Sequence, residues 1–211
     1  MVCAGSGITL TSSSPGGTWS ASNGNAIVAG PGIIHGVTVG LDTIFYTVSN
    51  ICGSSVTSKP ITINPVPVVS PISGPTSHCV STTISLSSAT PGGVWNSSNP
   101  AVATIGISSG IVSGIAAGTT TVTYTVTNSF GCPTSVTAQD TVNILPVLPA
   151  ISGSTGVCIG ATTTLTDTIS GGTWTSSNPA VATIGVTSGI VTGMTAGTTT
   201  ITYTITNSCG T

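Results

Sequence analysis

"GTTTVTYTVTN", Gly118–Asn128, alternates without a break: Val122, Tyr124 and Val126 fall on one side of an extended chain, and Thr121, Thr123, Thr125 and Thr127 on the other. Successive side chains of a strand point to opposite faces, so this period of two describes a strand with an apolar face in a core and a hydroxyl face in water. The same reading extends outward. "TISL" (Thr83–Leu86) and "ITL" (Ile8–Leu10) carry shorter versions of the pattern. "GIVSGI" (Gly110–Ile115) and "GIVTGM" (Gly189–Met194) are short strands fenced by glycines, and Pro91-Gly92-Gly93 is a turn. No segment has the 3.6-residue periodicity and caps of a helix, so almost no helix is expected.

The strands belong to a repeat. "SSNPAVATIG" at Ser97–Gly106 returns letter for letter at Ser176–Gly185, 79 positions on. Cysteines stand at 3, 79 and 158 and again at 52, 132 and 209, tryptophans at 19, 95 and 174, tyrosines at 46, 124 and 203. In every copy 16 residues separate the first cysteine from the tryptophan. A fixed period marks a building block rather than a catalytic motif. Strands spaced by turn signals, with one tryptophan per copy, predict an all-β chain of three tandem immunoglobulin-type sandwiches. Trp19, Trp95, Trp174, Tyr46, Tyr124 and Tyr203 are assigned to their cores.

Composition narrows the function. Lys59, Asp42, Asp140 and Asp167 are the only charged side chains, 2% of the residues, against about 25% in ordinary globular proteins. With 38% apolar residues and a net charge of −2, disorder is a poor fit. The most apolar stretch, Ile144–Ile151, is short and broken by two prolines, so no membrane helix is expected. No basic region precedes an apolar segment at the N-terminus, and one lysine cannot neutralise a nucleic-acid backbone. A nearly uncharged surface favours association: either copies pack together or something hydrophilic and not encoded as charge coats the chain. Catalysis lacks an inventory, because glutamate and arginine are absent, the aspartates lie far apart, and His35 and His78 occupy unlike places in the repeat. The chain is read as a non-enzyme without cofactor. Zinc lacks a Cys-x-x-Cys, and isolated aspartates do not make a calcium site.

"GGTWTSSNPAVATI…GIVTGMTAGTTTITYTIT" (Gly171–Thr206) resembles the bacterial immunoglobulin-like domain, group 2, in the form strung in tandem in giant surface proteins of Bacteroidota-type bacteria. The resemblance covers all three copies, though in the first "SASNGNAIVAG" (Ser20–Gly30) replaces the shared decapeptide. It implies extracellular stalks, adhesins and filaments, and strands running A to G. Strand G and the following strand A are then expected in the proline-rich bridges Ser55–Gly74 and Ser135–Gly153, since proline suits edge strands and stiff linkers. The expected modules are residues 1–64, lacking strand A, 65–145, and 146–211, lacking strand G. The chain is expected to be an excerpt of a longer array, with donor-strand exchange between subunits as the alternative.

Two cysteines per copy without metal-type spacing point to disulfides and an oxidising compartment, the cell surface or beyond. Pairing within each module would join Cys3–Cys52, Cys79–Cys132 and Cys158–Cys209. In the immunoglobulin topology, however, the early cysteine sits at the A–B turn and the late one beyond strand F, at opposite ends about 20 Å apart for a six-residue strand. A disulfide spans at most about 7 Å between Cα atoms. The pairing expected is therefore between modules, Cys3–Cys132 and Cys79–Cys209, leaving Cys52 and Cys158 for further modules. Each aspartate is followed by Thr and an aliphatic residue, which resembles the Bacteroidota O-glycosylation motif and marks Thr43, Thr141 and Thr168; turn capping by the aspartates is the other reading. Asn96-Ser97-Ser98 matches an N-glycosylation sequon.

The expected function is a structural repeat of an extracellular bacterial fibre or cell-surface stalk, whose partners are copies of itself or neighbouring modules of the same long chain. The alternative is an adhesin repeat that binds glycans or other cells through exposed loops. Such loops want aromatics, yet the tryptophans are assigned to the core, and Phe45 and Phe130 are the only phenylalanines. An accessory module of a secreted enzyme is a third reading.

Overall fold

The computed structural model describes residues 1–211 and consists of strands and turns. The first repeat contains β1 (Val2–Cys3), β2 (Gly7–Thr9), β3 (Thr18–Ala21), β4 (Ala26–Gly30), β5 (Ile33–Gly36), β6 (Gly40–Asn50) and β7 (Gly53–Asn64). The second contains β8 (Ile72–Ser73), β9 (Ser77–Cys79), β10 (Thr83–Ser85), β11 (Ser87–Ser88), β12 (Val94–Ser97), β13 (Ala103–Ile105), β14 (Ile111–Gly114), β15 (Gly118–Thr127) and β16 (Pro133–Asn143). The third contains β17 (Thr162–Thr164), β18 (Thr173–Ser176), β19 (Ala182–Ile184), β20 (Ile190–Gly193) and β21 (Ile201–Thr204). No helix is long and apolar enough to cross a membrane.

The fold is all-β and immunoglobulin-like. One sheet of the first repeat runs β1-β7-β6-β3 and faces β2-β5-β4; in the second repeat β12-β15-β16-β9 faces β10-β14-β13. The opening strand of the second repeat is split. Its first half, β8, pairs with β11, and its second half, β9, crosses to the other sheet and runs parallel to β16. In the first repeat β1 is the counterpart of that second half and runs parallel to β7. The third repeat has β17-β20-β19 and a two-stranded β18-β21.

Alternation sets the burial. Along β15, Thr120, Val122, Tyr124 and Val126 are buried while Thr119, Thr121 and Thr127 are exposed. Each repeat has its own apolar cluster, with Val112 and Val122 fully buried in the second and Ile34 in the first, while the third is built on the less completely buried Leu165 and Val191. Burying one such aliphatic side chain contributes about 1.5–3 kcal/mol. Within the clusters each tryptophan lies tilted on its tyrosine, with ring centroids 4.6, 4.4 and 4.5 Å apart. The tyrosine hydroxyl accepts a hydrogen bond from the glycine two residues before the tryptophan (Gly17, Gly93 or Gly172). A Cβ at Gly93 would collide with the Tyr124 ring, which explains the invariant glycine-x-tryptophan spacing of the three copies.

Trp95 and Trp174 are buried, but Trp19 is only half-buried. The backbone N–H groups of Trp95 and Trp174 each donate to a turn carbonyl, of Ile107 and Val186, at 2.8 Å. The hairpin Ala26–Gly36 of the first repeat is one residue shorter than Ala103–Gly114 of the second and supplies no such cover. At the corresponding turn of the second repeat Gly110 has φ +69°, and a side chain there would meet the Leu86 carbonyl, so only glycine fits.

The repeated decapeptide is a clamp. Thr120 Oγ1 on β15 lies 2.8 Å from Ser97 Oγ and accepts from the Asn99 N–H at 3.0 Å. Thr199 repeats this with Ser176 Oγ at 3.0 Å and the Asn178 N–H at 3.0 Å. Ser-Ser-Asn thus ties the end of one strand to its neighbour in the same sheet, a structural task each copy must perform.

Candidate functional site at the joints between repeats

Each repeat has an Asn-and-Cys tip: Asn50 at the end of β6 with Cys52 before β7, Asn128 and Cys132 between β15 and β16, and Asn207 and Cys209 after β21. The asparagine shapes the tip, its Oδ1 accepting the Cys52, Cys132 or Cys209 N–H at 2.8, 3.1 and 2.8 Å. The other cysteine of each pair ends a short strand, Cys3 in β1 and Cys79 in β9, beside the last residue of the hairpin's second strand, Asn64 or Asn143.

These ends meet across the joints. Cys3 is bonded to Cys132 and Cys79 to Cys209, with Cα–Cα distances of 5.7 Å in both and sequence separations of 129 and 130. Beside each bond the tip asparagine reaches the start of the linker. Asn128 Nδ2 donates to the Pro65 carbonyl and Asn207 Nδ2 to the Ile144 carbonyl, both at 2.7 Å. One covalent and one polar tie therefore fix each hairpin tip to the end of the preceding repeat. Cys132 is fully buried in its joint. Cys52 and Cys158 are free and exposed.

The three aspartates have separate surroundings. Asp42, on β6, takes the place that Thr120 and Thr199 hold in the other copies. Its carboxylate accepts from Ser22 Oγ at 2.8 Å and from the N–H groups of Ser22, Ala26 and Thr43 at 3.0, 2.8 and 2.7 Å. Burial alone would raise its pKa, but these hydrogen bonds outweigh burial and hold the carboxyl below its ordinary value. Asp140, on β16, is buried against His78 of β9, whose Nε2–H donates to Oδ2 at 3.1 Å. Sequence separation hides this pair; the parallel register of β9 and β16 creates it. His78 Nδ1 faces the Thr82 carbonyl at 3.3 Å, and Asp140 Oδ1 is buried without a partner. In the first repeat Val2 and Ile61 occupy the same two places. Asp167 caps a turn, accepting the Ile169 N–H at 2.8 Å. Of the adjoining threonines, Thr168 is exposed in that turn, and Thr43 and Thr141 are half-buried on strands. In the sequon, Asn96 is exposed but Ser97 is buried in the decapeptide clamp. No group of three or more His, Cys, Asp or Glu side chains is placed to hold a metal ion.

Residues 56–136 match the sequence profile of the Bacterial Ig-like domain (group 2). The match begins inside β7 and ends inside β16, so it takes in the first joint and most of the second repeat. No curated protein matches the chain. Among solved structures, it is similar to a SusE-like surface located polysaccharide binding protein from the Bacteroides thetaiotaomicron heparin utilisation locus, with 14% identity and a TM-score of 0.43 over 89% of this chain and 38% of that one. It is similar to extracellular cadherin domains 3–6 of protocadherin gamma B2, with 12% identity and a TM-score of 0.36 over 85% and 59%. A third is the C-terminal 282-residue fragment of intimin in complex with the intimin-binding domain of its translocated receptor, with 18% identity and a TM-score of 0.33 over 66% and 58%. The chain thus spans 38% to 59% of the length of these structures.

Proposed function

We propose that this chain is a structural repeat segment of an extracellular bacterial fibre or cell-surface stalk, and that its task is mechanical continuity. One observation carries the reading: the same pair of ties, a disulfide and an asparagine-to-linker hydrogen bond, occurs at both joints. A ligand site needs no such repetition, whereas a load-bearing thread needs every joint alike. Disulfides persist in oxidising surroundings, which supports a location outside the cytoplasm. In this reading the modules comprise residues 1–64, 65–145 and 146–211, and Cys52 and Cys158 bond to neighbouring modules of the same kind. Thr168 is the best placed of the three candidate threonines to carry a sugar.

The adhesive alternative, in which exposed loops bind surface glycans or other cells, has less to draw on. Its best aromatic surfaces, the tryptophans, pack on the tyrosines of the core. Immunogold electron microscopy of the producing bacterium tests the two readings. Antibodies raised against the chain are expected to decorate threads along their length at a regular interval. Label confined to the cell body, with unlabelled threads or none, would falsify the fibre reading.

A further inference from the structure

We infer that the outer face of the smaller sheet in every repeat is a lateral contact surface, and that its partner is a second copy of this chain lying alongside. The middle strands of these sheets are β5, β14 and β20. Their inward side chains, Ile34, Val112 and Val191, fill the cores. The opposite side is also apolar. Ile33 and Val37, Ile111 and Ile115, and Ile190 and Met194 stand there, each between 41% and 52% exposed. In each pair the second residue lies four positions after the first, so the alternation runs on just past the strand. The long strand β15 follows the other rule, with Thr119, Thr121 and Thr127 outside. A sheet with one face in water alternates apolar and polar, whereas a strand apolar on both faces belongs to a sheet covered on both. Threonine suits an exposed strand as well as isoleucine does, so folding alone does not call for these six side chains.

A single exposed aliphatic residue signifies little. Recurrence is what makes these six a surface. They stand at the same places in all three copies, and the apolar type is kept while the identity drifts from Val37 to Ile115 to Met194. The second repeat, with a neighbour at each end, exposes its pair as much as the others expose theirs, so the exposure belongs to the repeat itself. Around that pair the face carries hydroxyls: Ser85 lies across from Ile111, and Ser113 lies between Thr83 and Thr104. An apolar centre with a polar rim is how protein interfaces are built. All four charged side chains lie elsewhere, Asp42, Lys59 and Asp140 on the larger sheets and Asp167 in a turn, so covering this face desolvates no ion. Spacing identifies the partner. Ile33, Ile111 and Ile190 are 78 and 79 residues apart, and both joints carry the same two ties. A partner must present apolar patches at this same step to meet all three, and a second copy does so by construction. Two half-exposed side chains fall far short of the about 800 Å² per partner of a stable interface. One repeat therefore does not hold alone, whereas several in register reinforce one another. This inference is separate from the fibre reading, since a stalk of single chains is still a stalk if the face stays bare.

The test uses the whole oxidised chain with Cys52 and Cys158 replaced by serine, so that no disulfide can join copies. Sedimentation equilibrium should show a mass that rises with concentration from the 20.4 kDa of one chain to about twice that value. In the same samples peroxide should convert Met194 to its sulfoxide at least about threefold more slowly in the associated chain than in the dilute one, with exposed Met1 as the internal reference. Ile33→Thr, Val37→Thr, Ile111→Thr, Ile115→Thr, Ile190→Thr and Met194→Thr together should abolish association and leave the near-ultraviolet circular dichroism of the tryptophan–tyrosine pairs unchanged. A control with Leu41→Thr, Val56→Thr, Val68→Thr and Val147→Thr, exposed aliphatics elsewhere on the chain, should associate like the parent. A parent chain that stays monomeric at every concentration overturns the proposal. So does association in which Met194 is oxidised at its dilute rate, a reading that needs no folded variant, or association lost equally in the control.

Discussion

Asp42 shows how one residue can be exchanged within a conserved local design. The copies agree on a strand residue that gathers the donors of a Ser-Ser-Asn or Ser-Asn turn, but two use a threonine hydroxyl and the first uses a carboxylate. An ionised acceptor makes stronger hydrogen bonds than a neutral one, at the cost of burying charge. Asp42→Ala strands the buried Ala26 N–H, while the Ser22 N–H keeps the Thr43 carbonyl, and should destabilise the first repeat by about 1–3 kcal/mol. Asp42→Thr restores the arrangement of the other copies and should recover most of that loss. The pH dependence separates the two chemistries. The folded carboxyl has a lowered pKa, so its contribution is complete above the unfolded value of about 4 and disappears as pH falls through the folded value. Protection of the Ala26 amide from hydrogen exchange should therefore decline below about pH 4 in the native chain and stay level in Asp42→Thr. A flat profile in both would show that the carboxylate is not the acceptor that matters.

At the scale of elements, what the sequence reveals depends on whether an element is coded locally. The alternation of Gly118–Asn128, the glycine two before each tryptophan and the period of the cysteines all lie within a short window, and each specifies strand, turn or core there. The split opening strand is not visible in this way. Its second half, Ser77–Cys79, has only three residues and owes its place to β16, more than sixty residues away. The same dependence hides the His78–Asp140 pair. The pair is also testable as an element contact. A buried polar pair with one carboxylate oxygen unpartnered gives little net stability, whereas removing one partner leaves the other stranded. Asp140→Ile alone should destabilise the second repeat. The double variant His78→Val with Asp140→Ile, which copies Val2 and Ile61, should match or exceed the native stability by about 1–4 kcal/mol. Denaturant midpoints decide this, and a double variant weaker than the native chain would assign the pair a stabilising role.

For the whole molecule, the two disulfides overlap rather than follow one another, because Cys79 lies inside the loop closed by Cys3 and Cys132. Force applied between the termini passes from Cys3 to Cys132, back along the chain to Cys79, and across to Cys209. That shortest route contains only the 53 backbone steps between Cys79 and Cys132, most of the second repeat. Fully extended, it measures about 180–190 Å at roughly 3.3–3.6 Å per residue, against about 700–760 Å for the whole reduced chain. Unfolding the first and third repeats therefore adds no length while the second holds. Optical-tweezer extension of the chain, with Cys52 and Cys158 replaced by serine so that handles attach only at the ends, should show a single rise to the shorter limit when oxidised. After reduction it should show a several-fold longer total. If the oxidised chain extended as far as the reduced one, the cross-repeat bonds would carry no load, and mechanical continuity would have to come from the sandwiches alone.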